Sequence, residues 1–305
     1  MNETKQGSSG GQSWTLSALS LLLVVTTATW TYVAWVSNSN ILDYRRLQIF
    51  LTHHGDIATS LALYAAGIST ILLMHEFGHL IVAKDSFRGP PLWLPAPGLY
   101  IPSLGGIQVT QKPVPLASPA LHALMGPLWG ILASTGCLTL GGLVLVDTPY
   151  LLEIDTQAQP LLIHALNTLG LTEQLNALQV AGWMGLLLSS MQLIPIGATD
   201  GGQLIHSISP RFHLISSLLS LTLLVLFAFS LPFREGFTWW IWAAFSALHL
   251  LGTPVFASST ASSWRQRGTL AILWLLLLAS TSISTLNALP SAMIPEANIS
   301  REVEL

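Results

Sequence analysis

Charge is what this chain has least of: aspartate, glutamate, lysine and arginine make up 8% of its 305 residues, and the formal net charge is −3. So small a net charge, with no dense basic stretch, argues against a nucleic-acid surface. Few charged side chains also leave little with which to solvate the outside of an aqueous domain. Cysteine is almost missing. Cys137 is the one cysteine, which excludes an internal disulfide framework and a cysteine-rich metal site. It lies in an apolar run, where a small buried or lipid-facing residue is the simplest reading.

What the chain has in abundance is apolar sequence, with 51% hydrophobic residues and a mean hydropathy of +0.60. Runs of about 20 apolar residues recur, each long enough to cross a hydrocarbon core of about 30 Å as a helix. Candidate spans are residues 14–36, 57–83, 117–146, 175–194, 214–231, 237–256 and 270–289. The first follows a polar, Gly/Ser-rich tail at residues 1–13. It exceeds a signal-peptide core and no Ala-x-Ala pattern follows it, so it reads as an anchor helix. An inside amino terminus places Lys5, Lys84, Arg88, Lys112, Arg211, Arg265 and Arg267 in the cytoplasm, and Arg45, Arg46, Arg234 and Arg301 outside. That asymmetry follows the positive-inside rule. The acidic residues Asp147, Glu153, Asp155 and Glu173 share a loop without lysine or arginine, which fits the outside. Arg45 and Arg46 are the local exception.

Residues 88–112 are too proline-rich for a helix and too apolar for an ordinary solvated loop. Short extended pieces such as residues 106–111 fit best, as a partly inserted β or re-entrant segment. Non-helical backbone is tolerated at membrane depth only where protein or a watery cavity satisfies its polar groups. An interfacial linker is the alternative.

Within the second span runs His75-Glu76-Phe77-Gly78-His79. Histidines four apart share a helix face, so both imidazoles can reach one Zn²⁺ while the intervening glutamate takes a proton from water. Three ionisable groups in five positions of an apolar helix cost roughly 2.5–3.5 kcal/mol each on insertion scales, which asks for a shared purpose. A catalytic zinc takes three protein ligands and leaves one position open. Asp200 is the carboxylate that follows an apolar helix end in a turn rich in glycine and proline, from Pro195 through Gly197 to Gly201 and Gly202. Such a turn can break a helix and bring an aspartate to a site, although Asp-Gly-Gly alone also suits a simple connecting turn.

The pairing of these motifs resembles the site-2 protease family of intramembrane metalloproteases, which joins His-Glu-x-x-His in one core helix to Asn-x-x-Pro-x-x-x-x-Asp-Gly in a later one. Here the later pattern starts at Gln192, with Pro195, Asp200 and Gly201 in register. The resemblance implies His75, His79 and Asp200 as zinc ligands, Glu76 as the catalytic residue and a substrate contact at Gln192, while the extended segment 93–111, which could pair with an opened substrate strand, makes Gly105 and Gly106 substrate-binding candidates. Gln192 stands where the family has asparagine. Gly126-Pro127-Leu128-Trp129-Gly130 in the third span is also similar to the family. The compact pattern, without a PDZ insert between residues 146 and 175 or a CBS pair, looks most like the cyanobacterial and chloroplast branch.

The expected fold is therefore an all-α polytopic membrane protein of about seven helices, with a polar tail, anchor helix and connecting loop in residues 1–56, its catalytic core in 57–211, and further spans and a polar tail in 212–305. The resemblance implies one zinc ion, a transmembrane protein substrate within membrane lipid, and a plasma or thylakoid-type membrane with the site nearer the cytoplasmic or stromal face. A proteolytically inactive scaffold or chaperone and a metal-binding transporter remain alternatives. His53 and His54 read as interfacial residues. His122 and His206 flank the motifs and are weaker candidates for orienting water or substrate, as are His164, His213 and His249. Trp239, Trp240 and Trp242 suit an interfacial belt.

Overall fold

A computed structural model describes residues 14–37, 43–55, 57–83, 91–96, 101, 103–107, 119–143, 165–170, 175–231, 233–251, 268 and 270–275. The elements that matter are α1 (Trp14–Val36), α2 (Tyr44–His53), α3 (Ile57–Ala83), β1 (Leu92–Pro95), β2 (Ser103–Ile107), α4 (Pro119–Leu143), α5 (Ala177–Leu193), α6 (Asp200–Ile208), α7 (Pro210–Ser230) and α8 (Phe233–Leu251).

Helices α1, α3, α4 and α7 are long and apolar enough to cross a membrane, and the protein is a membrane protein built mostly of helices. These four coincide with four of the expected spans. At 17 residues α5 falls short of a full crossing by itself. The expected last span lies mostly outside the described residues. Leu214, Ile215, Leu218, Leu219, Leu223 and Leu226 leave one side of α7 exposed and apolar, as suits a surface facing lipid tails.

The core is the mutual packing of α3, α4 and α5. Since lipid competes equally for apolar side chains, association here depends on close packing and hydrogen bonds. Both are present. A Cβ added at Gly185 of α5 would stand 2.3 Å from Ser134 Oγ of α4 and 2.7 Å from Ile71 of α3, so any larger residue would have to push both side chains aside where the three helices meet. At its start α5 carries a reciprocal cap, with Asn176 accepting from Gln179 N and Gln179 accepting from Asn176 N. The same two side chains reach across: Asn176 Nδ2 donates to Gly141 O at 2.7 Å and Gln179 Nε2 to Leu138 O at 3.4 Å. The carbonyls near the end of α4 are thereby satisfied by the start of α5.

Residues 44–53 form a helix where the sequence reading has only a connecting loop. Asp43 caps it by accepting from Arg46 N at 3.1 Å, and Leu47 buries itself against Val33 and Ala34. His53 and His54 end it, bonding back to the carbonyls of Ile49 and Phe50.

The segment after α3 contains an antiparallel hairpin pairing Leu92 with Ile107, Trp93 with Gly106, Leu94 with Gly105 and Pro95 with Ser103. Its second strand starts earlier than the expected piece at 106–111, of which residues 108–111 lie outside the described residues. One extra residue, Leu104, bulges between Leu94 and Pro95, and Gly105 takes the left-handed φ of 109° that the bulge requires. Helix α1 grips the free side of β1: Ser17 donates to Pro91 O, and Trp93 N donates to Ser20 Oγ at 3.0 Å.

Candidate metal centre

His75 and His79 lie four residues apart on α3, and Asp200 opens α6. Asp200 gets there because α5 stops at Leu193, Pro195 cannot continue it, and Gly197 turns the backbone with a φ of 53°. Thr199 then caps α6, accepting from Gly202 N at 3.1 Å and donating to Ile194 O at 2.7 Å. A helix amino terminus favours the negative charge of Asp200. At the far side of the turn, Trp274 Nε1 donates to Leu193 O at 2.8 Å.

The three side chains converge in a nearly equilateral triangle. His75 Nε2 and His79 Nε2 are 3.2 Å apart, and Asp200 Oδ2 lies 3.3 Å from the first and 3.4 Å from the second. A tetrahedral ion with ligand bonds of 2.0–2.1 Å requires ligand separations of about 3.3–3.4 Å. The match with zinc is therefore one of dimensions as well as residue type. His79 Nδ1 is 2.9 Å from the His122 carbonyl oxygen, which can only accept, so Nδ1 carries a proton. The neutral imidazole then presents a lone pair at Nε2. The donor set fits a divalent metal, and among the described residues it is the His/Asp group close enough to hold one.

Small residues set the spacing around the triangle. A Cβ at Gly126 would come within 2.2 Å of His79 Nε2, and one at Gly130 within 3.2 Å of His75 Nδ1. A Cβ at Gly78 would meet the Met125 backbone carbonyl oxygen at 2.2 Å, so α3 and α4 approach backbone to backbone at the ligand level. The apolar His122 ring face stacks on His79 at 4.6 Å, and together with its carbonyl this fixes the ligand ring.

Glu76 is buried beside the triangle, and its Oε2 has no hydrogen-bond partner among the described residues. Its other oxygen faces β2: a Cβ at Gly106 would stand 2.9 Å from Glu76 Oε1. At Gly105 a Cβ would stand 2.4 Å from Gln192 Nε2. The structure thus gathers Glu76, Gly105, Gly106 and Gln192 on the side of the metal triangle where β2 lies. His206 does not join them. It packs edge-on against His213 at 5.1 Å. His213 instead bonds the Gly197 carbonyl. His164 and the side chain of His249 lie outside the described residues. Trp239 and Trp242 are buried in the helix packing rather than displayed as a belt. Sequence reasoning missed Ser17 and Ser20, whose spacing on one face of an apolar helix was the available signal.

Comparison with known proteins gives a partial match. The Arabidopsis thaliana protein named "Probable zinc metalloprotease EGY1, chloroplastic" is 28% identical over 159 residues, covering 47% of this chain and 28% of that protein. The chain therefore matches little more than a quarter of that relative's length. No family profile and no solved structure matches. The chain is thus similar over part of its length to a protein named as a zinc metalloprotease, and its paired motifs resemble those of the site-2 protease family.

Proposed function

We propose that the protein is an intramembrane zinc endopeptidase that hydrolyses a peptide bond in or near a transmembrane segment of another membrane protein. The donor triangle of His75, His79 and Asp200, with the matching ion geometry, carries this reading. Bound there, zinc would polarise the scissile carbonyl and acidify water toward a pKa of about 7. The protein's own residues do the rest. Glu76 takes a proton from the attacking water as its oxygen bonds the carbonyl carbon, then delivers that proton to the departing amide nitrogen as the C–N bond breaks. Burial with an unpaired Oε2 suits a carboxylate whose partner arrives with the substrate.

Strand β2 supplies a substrate cradle. Trp93 N points to Ser20 of α1, away from β2. In an antiparallel ladder its partner Gly106 must also turn its N–H and C=O outward, toward the open edge. A helix presented as substrate has its carbonyls hydrogen-bonded and shielded, so it must open locally, and the opened strand can pair along β2. Gly105 and Gly106 leave room for that backbone beside Glu76 and Gln192. The arrangement favours substrates with Gly or Asn near the cut, which weaken a helix.

The positive-inside pattern supports a polytopic protein with both motifs nearer the cytoplasmic or stromal side, and the single donor triangle among the described residues supports one zinc ion per chain. The deciding experiment measures bound zinc and cleavage of a transmembrane substrate together. Replacing His75, His79 or Asp200 by alanine is expected to deplete zinc, whereas Glu76→Gln keeps zinc and stops cleavage. Full zinc occupancy in Asp200→Ala would remove that residue from the site and sink the assignment.

A further inference from the structure

The turn that delivers Asp200 is gripped from behind by a helix that no motif points to. Residues 194–199 contain one proline and a left-handed glycine, and a glycine backbone has little rigidity of its own. Asp200 follows three residues after Gly197, so the orientation of the Gly197 peptide groups sets where the carboxylate starts.

Both polar groups of Gly197 are held by α7. Gly197 N donates to Ser217 Oγ at 3.1 Å, and His213 Nε2 lies 2.9 Å from Gly197 O. Because a carbonyl only accepts, His213 carries its proton on Nε2 and donates. His213 and Ser217 are four residues apart, hence one above the other on the same face of α7. The edge contact with His206 restrains rotation of the His213 ring. From the front, a Cβ at Gly202 would come within 2.3 Å of Gly197 O. The carbonyl is thus trapped between the first turn of α6 and the His213 imidazole.

The reversal between α6 and α7 is itself fixed. Ser209 ends α6 and caps α7, accepting from Phe212 N at 3.3 Å, and Pro210 occupies the first turn. The serine would by habit bond its own helix four residues back. Ser217 is fully buried and instead accepts from another segment. Polar side chains in an apolar span are costly to insert without a task, and here two of them converge on a single residue of the ligand-bearing turn.

We propose that His213 and Ser217 are positioning residues for the metal-binding carboxylate: by fixing the Gly197 peptide groups they keep Asp200 at the distance that closes the donor triangle. The proposal rests on Asp200 as a metal ligand, and it makes α7 part of the metal centre rather than a surrounding span.

The test uses the full chain, zinc-loaded in detergent, and reads the rate of zinc release into excess chelator, the Co²⁺ ligand-field spectrum, and the unfolding midpoint of the zinc-free protein. His213→Phe removes the donor at similar bulk, His213→Gln retains an N–H, and Ser217→Ala removes the acceptor. His213→Phe and Ser217→Ala should weaken zinc binding about 10–100-fold, the range for partners that orient ligands. They should also alter the Co²⁺ spectrum while the zinc-free midpoint stays near wild type, and His213→Gln should recover most of the affinity. Wild-type zinc release in His213→Phe and Ser217→Ala, beside a zinc-poor Asp200→Ala, overturns the positioning role alone. Equal zinc loss in the Phe and Gln variants together with a lowered zinc-free midpoint also overturns it, in favour of a packing role. Normal zinc binding in Asp200→Ala overturns the metal-site reading, and the proposal with it.

Discussion

Replacing Gly126 by alanine adds one methyl group, yet it should empty the metal site. The new Cβ would stand 2.2, 2.4 and 2.8 Å from three atoms of the His79 ring. An ordinary contact is no closer than about 3.4 Å, so the ring must retreat by about 1.2 Å, whereas plausible metal–ligand distances vary by only about 0.2 Å. His79 cannot swing aside freely, because Nδ1 is tied to the His122 carbonyl on the same helix that carries the new methyl. We expect zinc affinity to fall at least about 100-fold, close to 2.8 kcal/mol. Helix propensity runs the other way, since alanine is better than glycine by about 1 kcal/mol in a helix interior. Loss of zinc without loss of helix content is therefore the signature. Gly136→Ala is the internal control: it lies in the same helix with nothing within 4 Å of the added Cβ, and it should bind zinc normally. Chelator competition and far-UV circular dichroism of the two proteins in one detergent decide the matter. Equal zinc affinity in both would show that α4 does not press on His79 as described, and the spacing argument would fail.

Other consequences separate the metal from the substrate cradle. Gly106→Ala puts a Cβ 2.9 Å from Glu76 Oε1, so cleavage should slow at least tenfold with zinc retained; unchanged initial rates would remove β2 from the reaction. Ser20→Ala deprives Trp93 N of its acceptor and should raise KM more than it lowers kcat, as loosened β1 lets the hairpin shift. A drop in kcat alone, measured on the same transmembrane substrate, would contradict that. The acidic loop between residues 147 and 173 should react with impermeant thiol reagents from the side opposite the metal site, once Cys137 is replaced and a cysteine is introduced there. Labelling from the cytoplasmic side would reverse the orientation.

How legible the site is in the sequence depends on which part of a residue does the work. His75, Glu76 and His79 are readable because helix geometry converts a four-residue spacing into a shared face, and Asp200 because its proline- and glycine-rich turn falls in register with the second motif of the family the chain resembles. The residues that orient these groups leave fainter traces. His79 is aligned by the backbone carbonyl of His122, an atom every residue possesses, so no side-chain pattern could mark position 122 as the source. Strand β2 was expected near residues 106–111 because alternation is weak in Ser-Leu-Gly-Gly-Ile; its start at Ser103 is set by pairing with β1 and by the Leu104 bulge. Helix α2 escaped because its polar face resembles a loop, while its one deep contact, Leu47 against Val33 and Ala34, is made to another helix.

The same distinction explains why glycine is the most informative residue around this centre. Gly106, Gly126 and Gly130 have backbone angles that other residues could adopt, so nothing local demands them; each is favoured by what stands opposite, namely Glu76, His79, and Ser189 with His75. The proposed activity would bring a scissile backbone, two imidazoles and two carboxylates within a few ångströms of one point while water is scarce around it. Side chains cannot be omitted from the chemistry, so they are omitted from the neighbouring helix and strand. If that is the reason, catalysis should tolerate bulk at the lipid-facing positions of α3 and α4 but not at these three. Of the two glycines beside a ligand ring, Gly130 is the milder case for alanine, with contacts of 2.8 Å to Ser189 Oγ and 3.2 Å to His75 Nδ1. Zinc affinity should therefore fall in the order wild type, Gly130→Ala, Gly126→Ala, and an inverted order would break the link between Cβ distance and metal binding.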